Sequence, residues 1–166
     1  MPFQFKTKED ISEFAHLKSV LIIPCRFCPA ASSAVRNNKP YIELFRKFMK
    51  TDSYEKYIKD LKSKFENTGI QTSIFESKII HQFVLCMWTS KRRKKLLERA
   101  KEYEALIVLG CEAAVQPIRD SVKTTSCKVF QGLETEGIMS IQPRFQLPCN
   151  ISLELKSTTP LLLQNR

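Results

Sequence analysis

The sequence predicts a three-layer α/β fold on a mostly parallel, flavodoxin-like sheet of strand order 2-1-3-4-5. Short, nearly unbroken apolar runs recur at residues 19–23, 71–75, 105–109 and 128–131. They are too short for helices, and their continuous apolar character suits parallel strands covered on both faces. The segments between them carry helical periodicity, and that alternation predicts right-handed crossovers. No low-complexity tract, repeat or Gly/Ser-rich linker interrupts the pattern. Residues 1–156 therefore read as one α/β domain, and 157–166 as a loosely ordered tail.

Residues 8–17 predict an N-terminal amphipathic helix. After the first strand comes Pro24-Cys25-Arg26-Phe27-Cys28-Pro29. Pro29 suits the first position of a short helix through Ala30, Ala31, Ala34 and Val35, with Cys28 as N-cap and Asn37 and Asn38 ending it. Ile42, Phe45, Phe48 and Met49 mark a further apolar helical face. Tyr54, Tyr57, Ile58, Leu61 and Phe65 mark the next, opened by an Asp52/Glu55 capping box and stopped by Gly69. Residues 79–88 are longer than a crossover requires and read as a lid, a dimer contact or a piece of core. Ser90 is placed to cap a helix carrying Leu96, Leu97, Ala100 and Tyr103, and residues 117–122 a shorter one with Pro117 in its first turn. Residues 138–141 and 150–155 have strand character and supply a fifth strand and an antiparallel edge near the C-terminus.

Composition bounds the function. A chain of 166 residues with 43% apolar content can bury a core without disulfides or a structural metal. The first ten residues lack the apolar centre of a signal peptide. The most apolar stretch, 79–88, is about half the ~20 residues of a spanning helix, so the expected location is cytoplasmic, away from membranes. In that setting the six cysteines read as reduced thiols suited to metal binding or catalysis. The formal net charge of +10 favours an anionic ligand, an acidic protein or nucleic acid as partner and leaves the oligomeric state open. The run Lys91-Arg92-Arg93-Lys94-Lys95 spreads around a helix and reads as solvated surface; with no nucleic-acid motif beside it, that partner is not favoured. No P-loop and no GxGxxG fingerprint is present.

The residues that follow parallel strands share one edge of the sheet. Cys25 follows the first strand, and Gly110-Cys111 the third. In the order 2-1-3 these strands are neighbours whose helices leave to opposite faces, which opens the crevice where ligands bind. Cys25, Cys28 and Cys111 are thus candidate ligands for zinc, an iron–sulfur cluster or another metallo-cofactor, with Cys86, Cys149 or His81 as the fourth. Alternatively Cys28 is a nucleophile and Cys25 its resolving thiol, activated by the helix dipole and by Arg26 if it points inward. The bland reading makes these cysteines small buried hydrophobes. Cys127 precedes the fourth strand and belongs to the opposite edge.

Other groups converge on the same edge. Gly132 and Gly137 bracket a loop holding Glu134 and Glu136, able to approach a cofactor together with Gly110. Glu112 sits at a helix start, where a carboxylate is favoured in its own right. Ser32 and Ser33 can donate to a phosphate, although serines near a helix start are commonplace. His16 reads as structural.

Overall fold

The structure is a computed structural model that describes residues 2–7, 14–37, 51–76, 84–146 and 150–161. Strand β1 is Pro2–Thr7 and β2 is Ser19–Pro24, followed by helices α1, Cys28–Arg36, and α2, Asp52–Asn67. Strand β3, Gln71–Ile74, a 3-10 turn at Leu85–Met87, helix α3, Ser90–Ala100, and strand β4, Ala105–Leu109, come next. Helix α4, Glu112–Val122, and strands β5, Lys128–Gln131, β6, Leu133–Gln146, and β7, Asn150–Pro160, complete the described elements.

Four strands form a parallel sheet in the order β3-β2-β4-β5. Val20, Leu21, Ile22 and Ile23 of β2 and every residue of β4 are buried, as strands covered on both faces require. Helix α1 packs with α2 and α3 with α4, an arrangement compatible with three layers. Tyr54, Ile58 and Phe65 form the buried face of α2, and Leu96 and Ala100 that of α3. Gly69, at φ +83°, turns the chain out of α2 toward β3, where a side chain would be strained.

Among the described residues no fifth strand joins this sheet. The sequence placed one after residue 137, but β6 and β7 pair with each other and with β1 in a separate antiparallel sheet of order β1-β6-β7. Strand β6 begins directly after Gly132, so Glu134 and Glu136 lie in a ladder in which Lys6 opposes Glu134 and Phe5 opposes Thr135. The expected ligand-facing loop between Gly132 and Gly137 is therefore a strand. Its glycines serve close packing: a Cβ on Gly132 would lie 2.7 Å from Leu109 Cδ2, and one on Gly137 2.7 Å from the Thr159 carbonyl oxygen. Strand β7 pairs through Pro160 opposite Gly137, so residues expected in a loose tail belong to the sheet.

Several boundaries move for local reasons. Phe27 is the N-cap of α1, and Cys28 is its first helical residue. Thr51 and Thr89, rather than Asp52 and Ser90, precede α2 and α3, and neither forms a side-chain cap. Helix α4 begins at Glu112 and places a buried Pro117 inside it, beyond its first turn. Asn37 ends α1 as expected, its Nδ2 donating to the Ser33 carbonyl at 2.7 Å. The helical face expected at Ile42–Met49, His81, Cys149 and residues 8–13 of the expected N-terminal helix lie outside the described residues. No described helix is long and apolar enough to cross a membrane.

Candidate functional site

The register of the parallel sheet brings the cysteine-bearing strand ends together. Pro24 of β2 opposes Leu109 of β4, and the Cys25 N–H donates to the Leu109 carbonyl at 2.9 Å. The next residue after Leu109 is Gly110, and a Cβ there would stand 3.2 Å from Cys25 Cβ and 2.8 Å from Ala114 Cβ. Glycine is what lets the two strand ends and the start of α4 approach so closely. Cys111 follows as the N-cap residue of α4, buried, while Cys28 opens α1 and is half-buried. Leu85 of the 3-10 turn packs against the same place, 3.9 Å from that Gly110 Cβ position, and carries Cys86 with it. Cys86 is exposed.

The charge state of each of these thiols bears on its neighbours. Burial raises the Cys25 thiol to about 11; backbone hydrogen bonds at Leu85 and Phe27 oppose the rise, and Cys111 and Cys86 add to it. Burial likewise raises Cys28 to about 12, with Cys25, Cys111 and Cys86 pushing the same way. Cys86 is raised by what burial it has and by Cys111. Burial works against the dipole-activated thiolate expected at Cys28, which is the first residue of the helix rather than its N-cap.

Arg26 does point inward, but toward carboxylates. It is 1% exposed, its Nε donates to Glu55 Oε1 at 2.6 Å, and its second terminal nitrogen reaches Glu55 Oε2 at 3.2 Å and Glu76 Oε1 at 3.3 Å. Burial works against its charge, and Glu55 and then Glu76 outweigh that and raise its pKa. The glutamate read as half of a capping box is thus the partner that lets an arginine be buried beside the thiols. Tyr54, one residue earlier on α2, donates its hydroxyl to the Leu109 carbonyl at 3.2 Å. Burial raises its phenol, and Cys25 adds to the effect.

Of the glutamates expected around the site, Glu112 and Glu136 have hydrogen-bond partners within the fold. Arg36 donates to Glu136 at 3.2 Å, and Glu134 is exposed in the ladder. Glu112 accepts from Gln131 Nε2 at 3.0 Å and Thr135 Oγ1 at 3.1 Å, tying α4 to β5 and β6. Burial favours its neutral form, but the bonds from Gln131, its own backbone N–H and Thr135 prevail and hold its carboxyl below the usual range. Cys127 lies buried ahead of β5 at the opposite edge, and burial alone raises it to about 11. His16 is exposed in the turn before β2.

The basic run is not uniformly solvated. Arg92 is 5% exposed, its guanidinium 4.1 Å from the Phe75 ring centroid and 5.2 Å from that of Trp88, and it donates to the Glu76 carbonyl at 2.7 Å. Arg93 donates to the Trp88 carbonyl at 3.3 Å. Lys91, Lys94 and Lys95 are exposed. Two aromatic residues flanking the crossover were the sequence signal for this arginine clamp.

Among the described residues, no three Cys, His, Asp or Glu side chains are grouped to hold a metal ion as they stand. The chain matches no family model, no curated protein and no solved structure.

Proposed function

We propose that the C-terminal edge of the parallel sheet is a thiol site for a soft metal ion or an iron–sulfur cluster, with Cys25, Cys28 and Cys111 as ligands and Cys86 as the fourth. The observation that carries this reading is the convergence of cysteines from three separate segments: the β2–α1 turn, the 3-10 turn and the start of α4. Thiols that raise one another's pKa are poor nucleophiles, yet a cation supplies the positive charge that deprotonates them. Cys86 is the solvent-side member, through which a metal reaches buried partners. This reading requires side-chain rotation to complete the ligand set, because among the described residues no three such groups stand in ligating geometry.

The raised thiols at Cys25 and Cys28 count against a dithiol enzyme, and the arginine clamp at Arg92 counts against reading the basic run as a nucleic-acid face. The five described cysteines are free, which supports a reducing, cytoplasmic setting. The same reading treats the four-stranded sheet as the 2-1-3-4 portion of a flavodoxin-like order, with the antiparallel sheet in place of its last strand.

The experiment is anaerobic purification followed by metal analysis and an absorption spectrum, with reconstitution by zinc or by iron and sulfide. Bound metal that falls in Cys28→Ser and Cys111→Ser but not in Cys127→Ser is the expected result. Protein that takes up no metal under either reconstitution overturns the proposal.

A further inference from the structure

The sulfur-bearing side chains at the thiol edge grade from solvent into the core. Met87 is 74% exposed and Cys86 is exposed, both on the 3-10 turn. Cys28 is half-buried, and Cys111 and Cys25 are 8% and 3% exposed. The turn packs against α4, whose N-cap is Cys111, and its Leu85 meets the Gly110 position that Cys25 also meets. An exposed apolar side chain is by itself ordinary. What sets Met87 apart is its place, one residue from an exposed thiol on a turn packed against the buried ones.

A thioether beside thiols is a donor set for a soft ion, and copper(I) is the ion that uses both. Structural zinc and iron–sulfur clusters are held by four protein ligands. Among the described residues no three Cys, His, Asp or Glu stand grouped for that. Copper(I) is satisfied by a pair of thiolates and so asks for less rearrangement. Charge argues the same way. Four thiolates around zinc or a cluster leave twice the net negative charge that a thiolate pair leaves around copper(I). Arg26, the cation buried beside the site, is already paired with Glu55 and Glu76, and uncompensated buried charge is costly. Cys28 is the first residue of α1 and Cys111 the N-cap of α4, so two helix N-termini favour negative charge on these sulfurs. A cluster also needs room for inorganic sulfide, whereas a Cβ at Gly110 would already stand 2.8 Å from Ala114 Cβ and 3.2 Å from Cys25 Cβ.

We infer that the ion taken at this edge is copper(I), received at Cys86 and Met87 and held by the thiolates of Cys28 and Cys111. The inference rests on the thiol-site reading above and narrows it to one ion and a smaller ligand set. Each binding thiol releases its proton to solvent, and copper keeps its oxidation state, so no oxidant or reductant takes part. The ion moves inward by exchanging one sulfur ligand at a time.

The test is anaerobic transfer of copper(I) from its bicinchoninate complex to the full chain, followed by loss of the complex's colour, with zinc uptake measured in parallel. One copper(I) per chain is expected. Cys28→Ser and Cys111→Ser should weaken it, and Cys127→Ser should not. Met87→Leu keeps an exposed apolar side chain and removes only the thioether. It should slow copper(I) uptake about tenfold, the scale on which supporting groups act at metal sites, with the same final amount bound and zinc uptake unchanged. Uptake by Met87→Leu as fast as by the unaltered protein overturns the inference, as does copper(I) held equally tightly by Cys28→Ser. Retention of zinc or an iron–sulfur cluster without uptake of copper(I) overturns it too, and leaves the thiol-site reading standing. A chain that takes up copper(I), zinc and cluster alike in no amount overturns both.

Discussion

The two ends of the parallel sheet both bury cysteine, and they do so differently. At the start of β5, Cys127 stands alone, and desolvation is the only cause of its raised pKa. At the ends of β2 and β4, Cys25 and Cys28 are raised first by desolvation and then by neighbouring thiols. The shifts are of similar size, so pKa alone does not separate a packing cysteine from a site cysteine. What separates them is company: thiols from several segments, a buried ion pair at Arg26, and a glycine that admits close approach, all at one edge.

The largest way to break this contrast is through the ion pair. Glu55→Ala leaves Arg26 buried with Glu76 as its remaining carboxylate, and a loss of roughly 3 kcal/mol in denaturant-measured stability is expected. A change under about 1 kcal/mol would show that the arginine's other partners, Glu76 among them, balance it. Gly110→Ala comes next. Its new Cβ meets Ala114 Cβ and Cys25 Cβ, both attached directly to backbone, and overpacking of this kind costs about 1–3 kcal/mol. At the other end, Ser126→Ala at an exposed position should move stability by less than about 0.5 kcal/mol.

Thiol reactivity sharpens the comparison further. Cys25, Cys28 and Cys127 should resist alkylation at pH 8 in the native protein, while exposed Cys86 reacts first; mass-spectrometric mapping reads the order. A folded-state thiol raised to about 12, as at Cys28, stays protonated where the unfolded chain ionises. Its stabilising preference is intact at neutral pH and is lost as pH rises above about 8.5. If Cys28 alkylated faster than Cys86, the burial argument would fail.

The smallest effect belongs to Glu112. Its folded carboxyl is held low, so its contribution is present above roughly pH 5 and disappears as pH falls through the lowered pKa. Glu112→Gln should flatten the acid limb of stability by less than about 1 kcal/mol, since the group is largely exposed to solvent. An acid limb as steep as before would assign it to other carboxylates.

Much of the parallel sheet was legible because its central strands, β2 and β4, are nearly continuous apolar runs, a pattern that depends little on distant partners. The neighbouring ends of β2 and β4 followed from it, and with them the placing of Cys25 and Cys111 just after adjacent strands. The antiparallel sheet was less legible. Phe3 and Phe5 alternate with Gln4 and Lys6, a period-two signal in a short segment that reads as a polar terminus. Glu134 and Glu136, flanked by glycines, look like loop until their partner strand is known. Arg26 and Glu55 were assigned local electrostatic roles, helix activation and capping, whereas their partnership spans residues far apart in sequence and appears only after the crossover is in place.

The register of β1 bears on how the chain comes to its final form. Phe3 opposes Gly137, so the backbone of β1 pairs only with a strand far along the chain. Closing a loop of that length is an entropic cost met late, after the parallel strands have their own partners. The molecule should therefore fold in two kinetic phases, with the thiol edge assembled in the faster one. Until the slower phase is complete, β1 is an unpaired strand and a point of vulnerability to aggregation during folding.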